Sequence, residues 1–451
     1  MRTCTLVVGA GRSGIGAVHL LHQQKAETIL LEQNEKAQEE AIRGRLLPED
    51  RDWPKIVIGT LPEEDLAKIG QAVVSPSVPA DAPLVRQLEG LGIPVLSEVE
   101  FAFRSDRGSV LAITGTNGKT TTTSLVGAIM HAYSSKVFVV GNIGNSYAKE
   151  AGQTEPDSWS VGEISSFQLE HVTTFRPKVS AILNITPDHL NRHYTMQCYA
   201  SVKERITRFQ SAEEVCVLNY MDPWLRPFGT YLCTPRVIWF SSGERPENGY
   251  YLQDGEIRKI TEEGDIALLR MSETQLMGVC NAENIMAAIA ITEAAGVPIG
   301  TILEAVRAFP PVEHRIEFVA EKAGVRYYND SKATNPDAAI QGIRAMDRPT
   351  VLIGGGYDKN NTYDEWIDAF DGKVRELVLI GKTAPAIAAC AQAHGFTDIT
   401  ICDSFEDCLR HCTEAAQPGD AVLLSPACAS WGMFRDYEQR GDVFKEYVRA
   451  L

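Results

Sequence analysis

Short apolar runs that end in a glycine-, asparagine- or serine-bearing turn recur from one end of this 451-residue chain to the other. Leu6-Val7-Val8, Thr28-Ile29-Leu30-Leu31, Ile56-Val57-Ile58, Ala72-Val73-Val74 and Ile93-Pro94-Val95-Leu96 read as strands, and residues 15–24 read as a helix after the first of them. Such runs, separated by helical stretches, predict a parallel sheet with right-handed crossovers. A second block opens with Val110-Leu111-Ala112-Ile113, after the polar stretch 104–109, and has further strands near residues 137–140, 179–183 and 215–218. It later turns hairpin-like, with Tyr250-Tyr251-Leu252 and Glu256-Ile257-Arg258 flanking an Asp254-Gly255 turn. Helices are expected over 281–295 and 301–308. Pro310-Pro311 stops the last of them, because proline cannot continue a helix. A third alternating block follows, with strands at 351–353, 377–380, 399–401 and 421–424. The expected organisation is three α/β domains, residues 1–98, 99–311 and 312–451. The functional site should lie where loops at the strand C-termini face each other.

Composition limits what such a chain can bind. It carries 43 basic and 59 acidic residues, a net charge of −16. That field repels polyanions, so nucleic acid and anionic membranes are not expected partners. Any bound phosphate must be held locally, by backbone amides, a few cations or a metal. No apolar run reaches the ~18 residues of a membrane span, and the N-terminal run Leu6-Val7-Val8 is too short for a secretory signal. The 10 cysteines form no CxxC pair and read as reduced thiols, which points to a cytoplasmic protein. Cys408, His411 and Cys412 could bind a metal, but the two cysteines are spaced one helical turn apart and read better as part of a helix.

Two glycine turns carry most of the chemical signal. Gly9-Ala10-Gly11-Arg12-Ser13-Gly14 follows a strand and opens a helix, where free amides and the helix dipole attract an anion. Glu32, ending the second strand, could accept from a ribose hydroxyl. GxGxxG arises by chance in roughly a quarter of chains with this glycine content, so a nucleotide ligand and plain helix–sheet packing both stay open. The second turn, Thr114-Gly115-Thr116-Asn117-Gly118-Lys119-Thr120-Thr121, is sharper, since GxxGK[ST] arises by chance in roughly one chain in fifty. Its amides would cradle a polyphosphate, with Lys119 on the β/γ-phosphates and Thr120 on Mg²⁺. The usual P-loop glycine at position 113 is isoleucine, so this is a shorter variant loop.

A cation at such a loop needs oxygen ligands from elsewhere. Glu163 closes the run Trp159 to Gly162 and reads either as a ligand or as a helix-capping carboxylate. His189, after Asn184-Ile185-Thr186-Pro187-Asp188, reads either as a ligand or acid/base group or as a hydrogen-bonded histidine. On spacing alone, Lys203 is an ordinary helical lysine. In the third block, strand ends carry Tyr328-Asn329-Asp330-Ser331-Lys332-Ala333-Thr334-Asn335, Gly354-Gly355-Gly356-Tyr357-Asp358-Lys359, Gly381-Lys382 and Ser425-Pro426-Ala427-Cys428-Ala429-Ser430-Trp431. Together these make a polar rim suited to a small carboxylated molecule.

The variant loop, Glu163-Ile164-Ser165-Ser166-Phe167-Gln168-Leu169, Asn329 to Asn335, Leu424 to Ser430 and Glu438-Gln439-Arg440-Gly441-Asp442 together resemble the Mur ligase family, ATP-dependent amino-acid ligases of peptidoglycan precursor synthesis. The resemblance runs from the first strand to the last helix. It implies a Rossmann-like N-terminal domain for the UDP part of UDP-N-acetylmuramoyl-L-alanine, a central P-loop ATPase domain, and a Rossmann-like C-terminal domain for D-glutamate. It implies that Gly115, Thr116, Asn117, Gly118, Lys119, Thr120 and Thr121 hold the ATP phosphates. Asn281 and Asn284 would contact the adenine side, Arg315 the phosphates and Asp330 the ribose. Thr120, Glu163, His189 and a carbamylated Lys203 would hold Mg²⁺, two ions in all, and Lys119, Glu163, His189 and Lys203 would be the catalytic set. Ser13, Glu32, Ser75 and Asn142 would meet the uridine-diphosphate substrate, and Lys332, Thr334, Lys359, Ser430 and Tyr437 the D-glutamate. The implied enzyme is a monomer. Glu32-Gln33 stands where an aspartate and a hydroxyl residue are expected, and Tyr437 where phenylalanine is expected.

Three other activities fit part of the pattern. A folylpolyglutamate synthase shares the variant loop but lacks such a first domain. A nicotinamide oxidoreductase explains residues 9–14 and leaves Lys119 and Glu163 without work. A non-catalytic nucleotide-binding regulator is the third.

Overall fold

The computed structural model describes residues 3–359 and 361–451. It divides into two compact units, the first made of Met1–Leu269 with Glu283–Val306 and the second of Arg270–Ala282 with Arg307–Leu451. The helix Val279–Ala294 therefore begins in the second unit and ends in the first.

The first unit holds two sheets. The smaller has five parallel strands, in the order Lys55–Ile58, Thr28–Glu32, Cys4–Val8, Ile69–Val74, Val95–Ser97. Cys4–Val8 is buried throughout, as a central parallel strand covered on both faces must be. The fifth strand starts at Val95, later than the run 93–96 suggests, because Pro94 has no N–H for the ladder.

The larger sheet has nine strands. Its parallel part runs Arg236–Ser241, Val215–Asn219, Val179–Ile182, Ser109–Thr114, Trp159–Glu163, Val137–Gly141. The Asp254-Gly255 turn joins Tyr250–Gln253 to Glu256–Thr261 as the expected antiparallel hairpin. Ser109–Thr114 sits near the middle, so the loop leaving its C-terminal end has strand ends on both sides. The two sheets share one core, in which Val7, Leu20 and Leu21 of the first block join Val140, Tyr147 and Phe175 of the second.

The second unit holds six strands, in the order Glu317–Lys322, Val325–Asn329, Ala421–Leu424, Thr350–Gly354, Val374–Leu379, Ile399–Ile401. All pairs are parallel except the first. Apolar clusters cover both faces, one around Trp366 and Leu377 and the other around Val378 and Phe444. Cys408 and Cys412 belong to the second cluster, whereas His411 bonds Glu376, so these three do not converge on a metal.

Candidate active site

The strand Ser109–Thr114 leads into residues 115–118, and the helix Lys119–Tyr133 follows. Gly118, the residue before the helix, has φ +81, and a Cβ there would lie 2.3 Å from Asn284 Oδ1. Glycine satisfies both constraints at once. Asn184 clamps the turn, its Oδ1 accepting from the backbone N–H of Thr116 (3.1 Å) and of Asn117 (2.8 Å). The Thr116 hydroxyl is fixed by Thr186 and by the Tyr199 hydroxyl, 3.2 Å away. Lys119 folds back over the loop, donating to the carbonyls of Gly115 (2.9 Å) and Thr116 (2.8 Å). Thr120 and Thr121 are buried on the first helical turn, and Thr122 Oγ1 donates to Asn284 Oδ1.

Lys203 is not an ordinary surface lysine. It lies near the end of the helix Met196–Glu204, is 1% exposed, and donates to the Gly115 carbonyl at 2.7 Å over the Tyr199 ring. Burial and the Lys119 charge push its pKa well below the ordinary lysine value, opposed by Asp188 and Glu163.

Glu163, 1% exposed, ends its strand. Its Oε1 accepts from Asn142 Nδ2 at 2.7 Å, while its Oε2 is buried without a hydrogen-bond partner. A buried carboxylate oxygen left unpaired is costly, and a cation beside it removes the cost. The donor set of Glu163, Thr120 and His189 suits a hard divalent cation with an imidazole in its shell. His189 has a left-handed backbone (φ +52), and its backbone N–H donates to Asp188. Its ring is about half exposed and sits 4.8 Å from that of Phe167.

The first glycine turn lies in the same unit. Gly14 lets the helix Arg12–Gln23 start against the turn, since a Cβ there would stand 1.9 Å from the Gly9 carbonyl oxygen. Ser75 is buried against Gly9, and Ser13 is half-buried on the first helical turn. Glu32 accepts from the backbone N–H of Ala10 and of Asn34, so its carboxylate braces the turn. Arg12 donates to the carbonyls of Asn142 (3.0 Å) and Gly144 (3.2 Å). A hydrogen-bonded chain thus runs from the first glycine turn through Asn142 to Glu163.

In the second unit, Asp330 follows its strand, is 5% exposed, and accepts from Ser425 Oγ at 2.7 Å and Ile316 N–H at 3.3 Å. Burial raises its pKa to about 7. Arg440, 1% exposed, fastens the adjoining turn through Ser331 Oγ, Ser331 O and Cys428 O. Burial lowers its pKa to about 10. Lys332 Nζ lies 5.2 Å from the Tyr437 ring centroid, and Lys359 Nζ equally far from that of Trp431. Ser430 is buried, Thr334 half-buried, and Arg315 has a buried Nε without a hydrogen-bond partner.

Comparison with known proteins decides the family. Residues 113–292 match the Mur ligase middle domain, and residues 314–428 match the Mur ligase glutamate ligase domain. A UDP-N-acetylmuramoylalanine–D-glutamate ligase from Lachnospira eligens is 53% identical, over 99% of this chain and 98% of its own length. The chain belongs to the Mur ligase family. A ligase of the same name from Clostridioides difficile is 42% identical over the same shares of the two chains. Among solved structures, UDP-N-acetylmuramate–alanine ligase MurC from Thermotoga maritima superposes with a TM-score of 0.60 at 17% identity, covering 99% of each chain. MurF ligase from the same organism, in complex with ADP, gives 0.58 at 17% identity, over 86% of this chain and 91% of its own. These last two show the Mur ligase fold.

Within this Mur ligase the expected residues fall into two sets. Residues 115–121, Glu163, His189, Lys203, Asn284, Ser13, Glu32, Ser75 and Asn142 belong to the first unit. Asn281, Arg315, Asp330, Lys332, Thr334, Lys359, Ser430 and Tyr437 belong to the second. Four supporting residues were not singled out by sequence reasoning: Asn184, Tyr199, Arg12 and Arg440. Asn184 had a signal, a polar amide directly after an apolar run. Arg440 stands within the motif Glu438 to Asp442 that carries the family resemblance, but nothing local shows that its side chain is buried against Ser331.

Proposed function

We infer that this chain is an ATP-dependent ligase that joins D-glutamate to UDP-N-acetylmuramoyl-L-alanine, a step of peptidoglycan precursor synthesis. The observation that carries the substrate assignment is the 53% full-length identity to a relative of that name. The loop geometry supports the chemistry. A free carboxylate does not condense with an amine in water, because oxide is a poor leaving group, so the alanyl carboxylate must first be phosphorylated. Lys119 is the group for the β/γ-phosphates, and the amides of residues 115–121 cradle them. The alanyl carboxylate attacks the γ-phosphorus with loss of ADP. The D-glutamate amine then attacks the resulting acyl phosphate and expels phosphate.

Thr120, Glu163, His189 and Lys203 are the proposed holders of Mg²⁺, two ions in all. When bound, Mg²⁺ offsets the negative charge of two anions brought together. The depressed Lys203 amine is the form that adds CO₂, and its carbamate would present oxygens where an ammonium would repel a cation. Asn281 and Asn284 are assigned to the adenine side, Arg315 to the phosphates and Asp330 to the ribose. Ser13, Glu32, Ser75 and Asn142 are assigned to the uridine diphosphate. Lys332, Thr334, Lys359, Ser430 and Tyr437 are assigned to D-glutamate.

On this reading, domains 1–98, 99–311 and 312–451 handle UDP substrate, ATP and amino acid in turn. The protein works as a monomer in the cytoplasm. Among the described residues no helix is long and apolar enough to cross a membrane. The test is ADP release with UDP-N-acetylmuramoyl-L-alanine present, across D- and L-amino acids. Release only with D-glutamate supports the assignment. Release with another amino acid, or without any, overturns it.

A further inference from the structure

Far along the sequence from every residue assigned above except Lys359, two helices of the second unit bring metal-ligating side chains together. Asp364 and Asp368 stand one turn apart on the helix Asp364–Asp368. Cys390 and His394 stand one turn apart on the helix Ala384–Ala393 and its C-cap. The two helices are in contact, and their Trp366, Ile367, Ile387 and Ala391 are buried in one apolar cluster, whereas Asp364, Asp368 and His394 are exposed and Cys390 is half-buried. One ligand atom each from Asp364, Cys390 and His394 lies within 4.8 Å of the others. The His394 ring sits between two carboxylates, Nε2 at 3.1 Å from Asp364 and Nδ1 at 2.7 Å from Asp368.

We propose that Asp364, Cys390 and His394 form a site for a thiophilic divalent transition metal of the Zn²⁺ class, with Asp368 orienting the histidine. The ligand set is one sulfur, one imidazole nitrogen and one carboxylate oxygen, which zinc takes readily and Mg²⁺ does not. Two ligands at a one-turn spacing on one helix face a third on another, so the protein supplies three corners of a tetrahedron. Zinc bonds of 2.0–2.3 Å set ligand atoms about 3.3–3.8 Å apart, so Asp364 and His394, 3.1 Å apart, would open slightly, and a ligand atom at the 4.8 Å limit would close by roughly 1 Å. Asp364 is largely exposed, and its hydrogen bond to His394 would be exchanged for the metal. The position of Asp368 is the independent sign. A metal-bound histidine characteristically gives its other ring N–H to a carboxylate, which fixes the tautomer and aims the remaining nitrogen at the metal. Asp368 holds Nδ1 in that way, and Nε2, hydrogen-bonded to Asp364 at 3.1 Å, would exchange that partner for the metal. The fourth position is left for water.

The test uses the full chain and Co²⁺ as an optical probe, with Zn²⁺ as competitor. A sulfur-to-cobalt charge-transfer absorption that Zn²⁺ removes at one equivalent is the expected result. Cys390→Ser should abolish it, His394→Ala should abolish it, and Asp368→Ala should weaken Zn²⁺ binding by about 10–100-fold. The Cys198→Ser and Cys233→Ser variants, which alter the two exposed thiols, should leave it intact. Absence of the band, or a band unchanged in Cys390→Ser, overturns the proposal. Thermal unfolding of each variant shows that a lost band is not a lost fold.

Discussion

The ammonium of Lys203 lies 2.7 Å from the carbonyl oxygen of Gly115, the residue that opens the phosphate loop, although 88 positions separate them in sequence. On the proposed function, a buried cation at that point would be poorly placed beside Mg²⁺, and a carbamate would be well placed. Lys203→Ala should therefore lose at least about 100-fold in ligase turnover, while ATP binding changes little. Millimolar acetate, a carboxylate small enough to enter, should restore part of it. Steady-state assays with and without acetate check this, and wild-type turnover in the variant would remove the role.

Asn142 holds one oxygen of Glu163 and leaves the other unpaired. Loosening that grip should weaken the proposed cation site without removing one of its proposed ligands. Asn142→Ala should raise the Mg²⁺ concentration for half-maximal turnover by about 10–100-fold, as loss of an outer-shell partner does. Glu163→Gln should be more severe at every Mg²⁺ concentration. Magnesium titrations of the two variants separate the effects.

Asp330 gives the second unit a pH dependence. Its folded pKa of about 7 exceeds the unfolded value of 3.8, so the folded state holds the extra proton between them. Its contribution to stability is fully present below about pH 4 and is lost as pH rises toward 7, a change of at most about 4 kcal/mol. Asp330→Asn should flatten that slope. Urea midpoints measured across the window should show wild type falling relative to the variant as pH rises.

Gly118 combines a left-handed backbone with a 2.3 Å approach to Asn284. Gly118→Ala should cost about 1–2 kcal/mol from the backbone alone. Because the strain sits in the loop itself, nucleotide affinity should drop about tenfold or more. Calorimetric titration with ADP, set beside the unfolding temperature, distinguishes this from general destabilisation.

Much of the architecture could be read from residue patterns because period and punctuation are local. The run 110–113 and the turn at Gly115 and Gly118 place a strand, a loop and a helix with no knowledge of the rest of the chain. The hairpin at Asp254-Gly255 is equally local. Partnerships across long separations were not legible. Spacing made Lys203 a solvated helical lysine, because nothing nearby in sequence shows that its helix lies against the Gly115 carbonyl. The clamp by Asn184 and the anchor of Arg440 on Ser331 are tertiary for the same reason. The Cys408/His411/Cys412 pattern shows the converse, since helical phase sends the cysteines into the core and the histidine outward.

Lys119 donates to the carbonyls of Gly115 and Thr116, so the loop already satisfies the donors of its own cation. On the proposed function, a triphosphate entering there would exchange partners and not simply add them. What the lysine contributes to affinity is a difference between two well-bonded states, smaller than its charge suggests. Its larger contribution would belong to the moment when negative charge builds on the transferred group and the carbonyls can no longer compete.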